Sequence, residues 1–119
     1  MRYTDSHEWI RMEGNVGTVG ITAHAQKELG EIVFVELPEV GSTIKAGEEV
    51  SILESTKAAA DVYAPVTGTI TAINPLLQKN PQLLNQEPES KGWLFQVEIA
   101  DPKELEKLLT FSEYQGMVC

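Results

Sequence analysis

The sequence predicts a mainly β domain, folded as a sandwich or flattened barrel with short helices at its periphery. Three observations indicate this class. Several short segments alternate apolar with polar residues, the pattern of half-buried strands, and Gly and Pro residues separate them at close spacing. Hydrophobic residues make up 42% of the 119 residues, enough for the packed core of one domain. We therefore expect a single domain over residues 1–119.

The strand signals run from the middle of the sequence to near its end. Segment 32–37 is rich in Val and stops at Pro38, which cannot donate a ladder hydrogen bond. Segment 66–72 alternates small and apolar residues with Thr, and segment 93–99 alternates in the same way. The full set of predicted strands is 18–21, 32–37, 42–46, 50–54, 61–64, 66–72 and 93–99.

Two short helices are predicted at the edges of this β structure. Thr22 can cap a helix over 23–29, and Gly30 can end it. A second helix is expected to start at Asp101, because Pro follows at the first helical position and Glu at the third. Its apolar face would consist of Leu105, Leu108 and Leu109. Residues 74–92, rich in Pro, Asn and Gln, are predicted to form a long surface loop.

The charge balance limits the classes of partner. Nine Lys and Arg residues stand against eighteen Asp and Glu residues, a formal net charge of −9 at pH 7. Such a surface repels the phosphates of nucleic acids and of anionic membranes, so we expect neither partner. We also expect no signal peptide and no membrane helix. Cys119 is the single cysteine, which predicts no internal disulfide and fits the bacterial cytoplasm.

Motifs for enzymatic chemistry are missing from the sequence. It contains no phosphate-binding loop, no dinucleotide-binding glycine motif and no nucleophile elbow. His7, His24 and Cys119 lack the spacing of a zinc site, which typically needs about four ligands. The sequence therefore predicts neither a metal site nor an enzyme active site.

Lys57 is the strongest candidate for a functional residue. It lies in a bend between two predicted strands, and its neighbours Ser55, Thr56, Ala58 and Ala59 are all small. Small neighbours leave the amine open to an incoming enzyme, while rigid strands would hold it at a fixed place. A lysine that becomes an amide gains a long flexible arm, which is the arrangement of group-carrier cofactors.

Several segments of the sequence resemble the glycine cleavage system H proteins. These segments include Thr-Asp-Ser-His-Glu-Trp at 4–9 and Glu-Ser-Thr-Lys-Ala at 54–58. The other matching segments are 20–22, 29–38, 61–68 and 92–94. They stand in the family's order and extend over nearly the whole chain, from about residue 3 to residue 114. The resemblance implies a fold of the lipoyl/biotinyl-carrier type, with a lysine at a hairpin tip.

The resemblance also implies a cofactor and a set of partners. Lipoate would be attached to Lys57 as an amide by a lipoate ligase or a lipoyl/octanoyl transferase, and Glu54 would belong to the surface that this enzyme recognises. The protein would be a non-catalytic carrier. It would receive the aminomethyl group of glycine from glycine decarboxylase (the P protein) and deliver it to an aminomethyltransferase (the T protein). A dihydrolipoyl dehydrogenase (the L protein) would reoxidise the dithiol.

A cleft for the loaded arm is a further implication of the resemblance. The aminomethyl amine is expected to be cationic, so a carboxylate in the cleft could hold it through a charge-assisted hydrogen bond. Ser6, Glu8 and Asp61 are the positions that match the family there. Simpler interpretations remain open: Glu8 could solvate the N-terminal strand, Asp61 could stabilise the turn, and Glu54 could be an outward-facing strand carboxylate.

Four alternatives compete with the glycine cleavage interpretation. A biotin carrier typically has Met on both sides of its lysine, whereas Thr56 and Ala58 stand here. A lipoyl domain of a 2-oxo acid dehydrogenase would lack the Ser-His-Glu-Trp start and the C-terminal helix. A lipoate-relay protein, which passes its lipoyl group to other apoproteins, would use the same residues. The last alternative is an interaction module with an unmodified lysine. For a carrier that visits several enzymes, we expect a monomer.

Overall fold

The structure is a computed structural model that describes residues 1–118, so Cys119 and our prediction for it lie outside the described residues. These residues contain nine strands, four α-helices and one 3-10 helix. The strands are β1 (Arg2–Tyr3), β2 (Glu8–Glu13), β3 (Val16–Ile21), β4 (Ile32–Glu36), β5 (Thr43–Ile44), β6 (Glu49–Ser55), β7 (Ala59–Tyr63), β8 (Gly68–Ile73) and β9 (Phe95–Ile99). The α-helices are α1 (Ala23–Leu29), α2 (Leu76–Lys79), α3 (Leu83–Gln86) and α4 (Phe111–Val118), and the 3-10 helix is Pro102–Lys107.

Two antiparallel sheets form the body of the molecule. One has six strands in the order β1-β2-β3-β9-β8-β5, and the other has three in the order β4-β6-β7. The buried apolar residues of both sheets join in one core, as shown by Val19 and Val97 from the first sheet and Leu53 and Val62 from the second. The fold class predicted from the alternating segments is therefore confirmed.

Helix α1 has the ends that the sequence predicts. The side chain of Thr22 accepts a hydrogen bond from the N–H of Ala25, and the N–H of Gly30 donates to the carbonyl of Gln26. Gly30 adopts φ 81° and ψ −156°, a conformation that is nearly restricted to glycine. A glycine at this point turns the chain sharply from α1 into β4.

We expect Gly30→Ala to lower the free energy of unfolding by about 1–3 kcal/mol, because alanine is strained at positive φ. Urea unfolding of the purified chain measures this change. Gly116→Ala is the matched control, since nothing lies within 4 Å of a Cβ added in helix α4 and alanine favours a helix. Equal stability of Gly30→Ala and the parent would contradict the strain argument.

The prediction of a long surface loop over residues 74–92 is wrong. Helices α2 and α3 lie in this segment, and Leu77 and Leu84 are fully buried in the core. Asn74 is buried too, and its side-chain amide donates to the carbonyl groups of Lys91 and Trp93, both at 2.9 Å. These contacts fold the polar segment back onto the sheets.

The C-terminal helix prediction is correct in its start and wrong in its extent. The Asp101 side chain caps the first turn, but the turn is a 3-10 helix that ends at Lys107. The chain must be extended beyond it, because Leu109 exchanges two backbone hydrogen bonds with Tyr3, at 2.7 and 2.9 Å. Helix α4 follows and buries Tyr114, whose ring stacks on Tyr3 at a centroid distance of 4.8 Å.

The predicted strands all lie within or beside observed ones, whereas β1 and β2 were missed. In β2 the first three residues are all buried, so the segment lacks the alternation that signals a half-buried strand. Within the part of the chain that the structure describes, no helix combines the length and apolar character needed to cross a membrane.

Candidate functional site

The turn between β6 and β7 presents Lys57 to solvent. Glu54 pairs with Ala59 at the end of the two strands, so residues 55–58 form the turn. The hydroxyl of Ser55 accepts hydrogen bonds from the N–H groups of Lys57 and Ala58, each at 3.1 Å. The turn is thus braced from within by one serine, and the side chain of Lys57 stays exposed.

A second set of hydrogen bonds supports the turn from below. The N–H of Thr56 donates to the carbonyl of Glu31 at 3.0 Å, which ties the turn to the segment before β4. The side chain of Asn85 holds that segment in turn: its amide donates to the carbonyl of Gly30 at 2.7 Å, and its oxygen accepts from Ile32 N–H at 2.8 Å. Helix α3 therefore helps to fix the position of the hairpin turn relative to the start of β4.

The side chain of Lys57 lies along Gly30. A Cβ added at Gly30 would lie 3.1 Å from Cε and 3.6 Å from Nζ of Lys57. The missing side chain at this glycine leaves room for the stem of Lys57 to lie against the backbone.

A cavity of about 160 Å³ lies between α1 and β7, and Leu29, the residue before Gly30, lines it. Its apolar walls include Leu29, Leu53 and Val62, which belong to the main core or pack against it. Ser6 and Glu8 line it as well, so a carboxylate faces a mostly apolar space.

Glu8 is buried, with 2% of its surface exposed, and hydrogen bonds hold its carboxylate in place. Its Oε1 accepts hydrogen bonds from the hydroxyls of Thr4 at 2.5 Å and Ser6 at 2.6 Å, and its Oε2 accepts from the N–H of Tyr63 at 3.2 Å. A carboxylate has about four acceptor positions. Three of them are filled by these donors, so one position on Oε2 is left for a further donor.

The electrostatic state of Glu8 follows from its burial. Burial raises the pKa of the Glu8 carboxyl, and the hydrogen bonds from Ser6, Thr4 and Tyr63 N–H offset part of that rise. A buried carboxylate is costly when it has no positive partner. A cation that entered the cavity would therefore stabilise the charged form of Glu8.

A larger cavity of about 290 Å³ lies on the other side of Glu8. Ser6 and Glu8 line both cavities, whereas Gly47 and Lys107 line only the larger one. The smaller cavity is the one lined by residues near the hairpin tip, among them Ala60.

The remaining predicted site residues, Asp61 and Glu54, are both exposed, unlike Glu8. Asp61 borders the smaller cavity, but it pairs with Ile52 on the face of the sheet opposite to Ala60 and Val62, and it is exposed. Its strand position therefore directs the side chain away from the interior. Glu54 is exposed beside the turn, where it pairs with Phe34 and Ala59.

Some groups near the site gave no usable signal in the sequence. Thr4 belongs to a matching segment, but its hydrogen bond to Glu8 depends on the turn before β2. His7, His24 and Glu28 lie close together beside α1, with one potential ligand atom from each within 4.8 Å of the others. No local spacing motif connects His7 with α1, so only the fold reveals this cluster.

The two packed sheets and the lysine at the hairpin tip define a carrier domain of the lipoyl/biotinyl fold type. The crystal structure of a glycine cleavage system H protein from Mycobacterium marinum matches this fold with a TM-score of 0.88 and 41% sequence identity, covering 96% of this chain and 92% of that one. The chain belongs to the glycine cleavage H-protein family, whose model matches residues 1–119. The resemblance inferred from the sequence is thereby confirmed.

Curated relatives agree with this assignment. The glycine cleavage system H protein of Thermotoga maritima is 54% identical over 114 residues, which cover 96% of this chain and 92% of the relative. The corresponding protein of Serratia proteamaculans is 52% identical over 119 residues, covering 99% of this chain and 93% of the relative.

Proposed function

We propose that this protein is the lipoyl-bearing, non-catalytic carrier of a glycine cleavage system, with lipoate attached to Lys57 as an amide. The observation that supports this most directly is the exposed Lys57 on a braced turn, at the end of the hairpin whose strand β7 lines the same cavity as the buried Glu8. The lipoyl disulfide would supply the redox and group-carrying chemistry, taking up the aminomethyl group of glycine.

The residues around Lys57 suit an attached arm. The small neighbours of Lys57 admit a modifying enzyme, and Gly30 leaves room for the lysine stem to lie against the protein. Strand β7 runs from Ala59, beside the turn, to Tyr63, whose N–H contacts Glu8. Its length of roughly 13 Å, at about 3.3 Å per residue, is the distance that the arm must cover. The apolar walls of the smaller cavity match a hydrocarbon chain, and Ser6 and Glu8 add polar atoms to its lining.

Glu8 would hold the cationic amine carried by the arm. Its unfilled acceptor position on Oε2 can receive one N–H, and the donors on its other positions keep it oriented. Ser6 would act through Glu8 by fixing Oε1. Asp61 would act from the rim of the cavity through its charge, since its strand position points away from the interior.

The partners follow from the same role. They are glycine decarboxylase, aminomethyltransferase and dihydrolipoyl dehydrogenase, together with the ligase or transferase that modifies Lys57. We propose that the carrier works as a monomer in the bacterial cytoplasm, and the bacterial sources of its relatives support that setting.

Intact-mass measurement of the protein from its own cells tests the proposal. A lipoyl-amide increment located on Lys57 by peptide mapping is the expected result. An unmodified chain from cells that contain lipoylated proteins would contradict it.

We expect Glu54→Lys to reduce the kcat/KM of lipoylation about tenfold or more, because the reversed charge faces the modifying enzyme beside the target lysine. Ligase assays with unmodified protein measure this rate. Glu49→Lys is the matched control: it makes the same change of charge at the far, exposed end of β6. If both variants are modified at equal rates, Glu54 has no specific part in recognition.

A further inference from the structure

A group of side chains along one side of α1 has the composition of a transition-metal site. One potential ligand atom from each of His7, His24 and Glu28 lies within 4.8 Å of the others. The rings of His7 and His24 are 4.7 Å apart between centroids, and Nε2 of His24 contacts Oε1 of Glu28. Two imidazoles and a carboxylate form a ligand set found in open zinc sites.

The backbone brings these three residues together in a specific way. Among the described residues, His7 is the one non-glycine residue with positive φ, at 72°. Its carbonyl accepts from the N–H of Thr22 at 3.0 Å, which places it beside the first turn of α1. His24 and Glu28 follow one turn apart on the same side of that helix. Unusual backbone conformations of this kind cluster at functional sites.

His7 also has the kind of outer partner that metal-binding histidines use. Its Nδ1 lies 2.8 Å from the hydroxyl of Tyr114, which lies 2.6 Å from the hydroxyl of Thr22. When Nδ1–H donates to Tyr114 and Tyr114 donates to Thr22, Nε2 of His7 carries a free lone pair. Such outer hydrogen bonds fix the tautomer and the ring orientation of a ligating histidine.

We propose that His7, His24 and Glu28 bind a divalent first-row transition ion, of which Zn²⁺ fits the ligand set best. Zinc bonds of about 2.0–2.1 Å in a tetrahedron require ligand atoms about 3.3 Å apart. The three potential ligand atoms lie within 4.8 Å of one another, and the contact between His24 and Glu28 must open to admit the ion. The adjustment falls on His24 and Glu28, whose side chains are 34% and 64% exposed and can rotate. Water completes the fourth position.

The site touches the smaller cavity without depending on it. His7 and Glu28 line that cavity, so a bound ion stands at its edge and competes with the arm for the same space. This consequence rests on the proposed lipoyl function, whereas the binding of the ion does not. Binding is therefore tested on unlipoylated protein, where a failure leaves the carrier proposal untouched.

The test is a titration of the unlipoylated 119-residue chain, carrying Cys119→Ser, with Zn²⁺ and with Co²⁺ as a spectroscopic substitute. Removing the thiol eliminates a competing zinc ligand. We expect one ion per chain by calorimetry and visible Co²⁺ absorption bands of a four-coordinate nitrogen and oxygen site. His24→Gln and Glu28→Gln should each weaken Zn²⁺ binding at least about tenfold, and Tyr114→Phe should weaken it by about 10- to 100-fold through the orientation of His7.

Glu31→Gln is the matched control, because it removes one exposed carboxylate of the same region that lies outside the cluster. It should bind Zn²⁺ like the parent. His24 is partly exposed on a surface helix, so its variant should fold normally, and circular dichroism verifies this. Failure of the parent to bind Zn²⁺ at one-to-one stoichiometry, or equal affinities of the parent and His24→Gln, would overturn the proposal.

Discussion

Replacing Lys57 by arginine is expected to abolish both lipoylation and activity in a reconstituted glycine cleavage assay. Arginine keeps the positive charge and the approximate length of the side chain. Its guanidinium stays protonated at any working pH, so it cannot become the amide nitrogen of a lipoyl group. The measurements are the intact mass after incubation with ligase and lipoate, and the rate of glycine-dependent NADH formation with the three partner enzymes.

Lys27→Arg is the matched control for this experiment. Lys27 is another exposed lysine, on the nearby helix α1, and its replacement should leave the lipoyl increment and the rate unchanged. Protein made without lipoate must first be modified in vitro, since an unmodified sample would otherwise be uninformative. Retention of the mass increment in Lys57→Arg would show that another residue carries the arm.

Replacing Glu8 by alanine is expected to make the loaded carrier lose its aminomethyl group about 10- to 100-fold faster in solution. A hydrogen bond to a charged group contributes about 1.5–3 kcal/mol, and each 1.36 kcal/mol changes a rate about tenfold. In the parent, Oε2 of Glu8 offers the position for that bond. The release of ammonia from the isolated loaded protein gives the rate.

Two further variants separate this effect from a general loss of structure. Glu13→Ala removes an exposed carboxylate from the same strand and should release ammonia like the parent. Glu8→Gln keeps the shape of the side chain but removes its charge, so the loaded variant should also release ammonia faster than the parent. If the loaded Glu8→Gln protein is as long-lived as the parent, the carboxylate charge does not hold the amine.

The sequence was informative where local chemistry decides the structure. Helix α1 begins after Thr22 and ends before Gly30, as predicted. Both ends are set locally, by the capping hydroxyl of Thr22 and by the positive φ that glycine can adopt. The alternating strands were found for a similar reason, since alternation records which face of a sheet is buried. The candidate lysine was identified from its small neighbours and its place between two strands.

Prediction failed where distant contacts decide. Residues 74–92 look polar and irregular, but Leu77 and Leu84 enter a core made by other strands, and Asn74 is satisfied by carbonyl groups far along the chain. The first C-terminal helix ends at Lys107, before the predicted Leu108 and Leu109, because the extended backbone at Leu109 pairs with Tyr3. Neither partner is visible from the local sequence.

The same limit applies to the candidate site. The resemblance identified Ser6, Glu8 and Asp61 as a group, yet the strand register places Asp61 on the other face of its sheet. It could not show that Tyr63 N–H leaves Glu8 with one unfilled acceptor position. These contacts form only because the turn before β2 and the end of β7 lie side by side in the folded protein, which the local sequence does not indicate.

The support of the hairpin by Asn85 bears on how this carrier could be re-engineered. The segment from β6 to β7 looks self-contained, as if it could be transplanted into another protein as a modification tag. Yet Thr56 is tied to Glu31, and Asn85 holds the backbone on both sides of Glu31. A graft that omits α3 would keep the hydrogen bonds of Ser55 within the turn but lose the support of the turn from below. A portable version would have to include this helix or an equivalent brace.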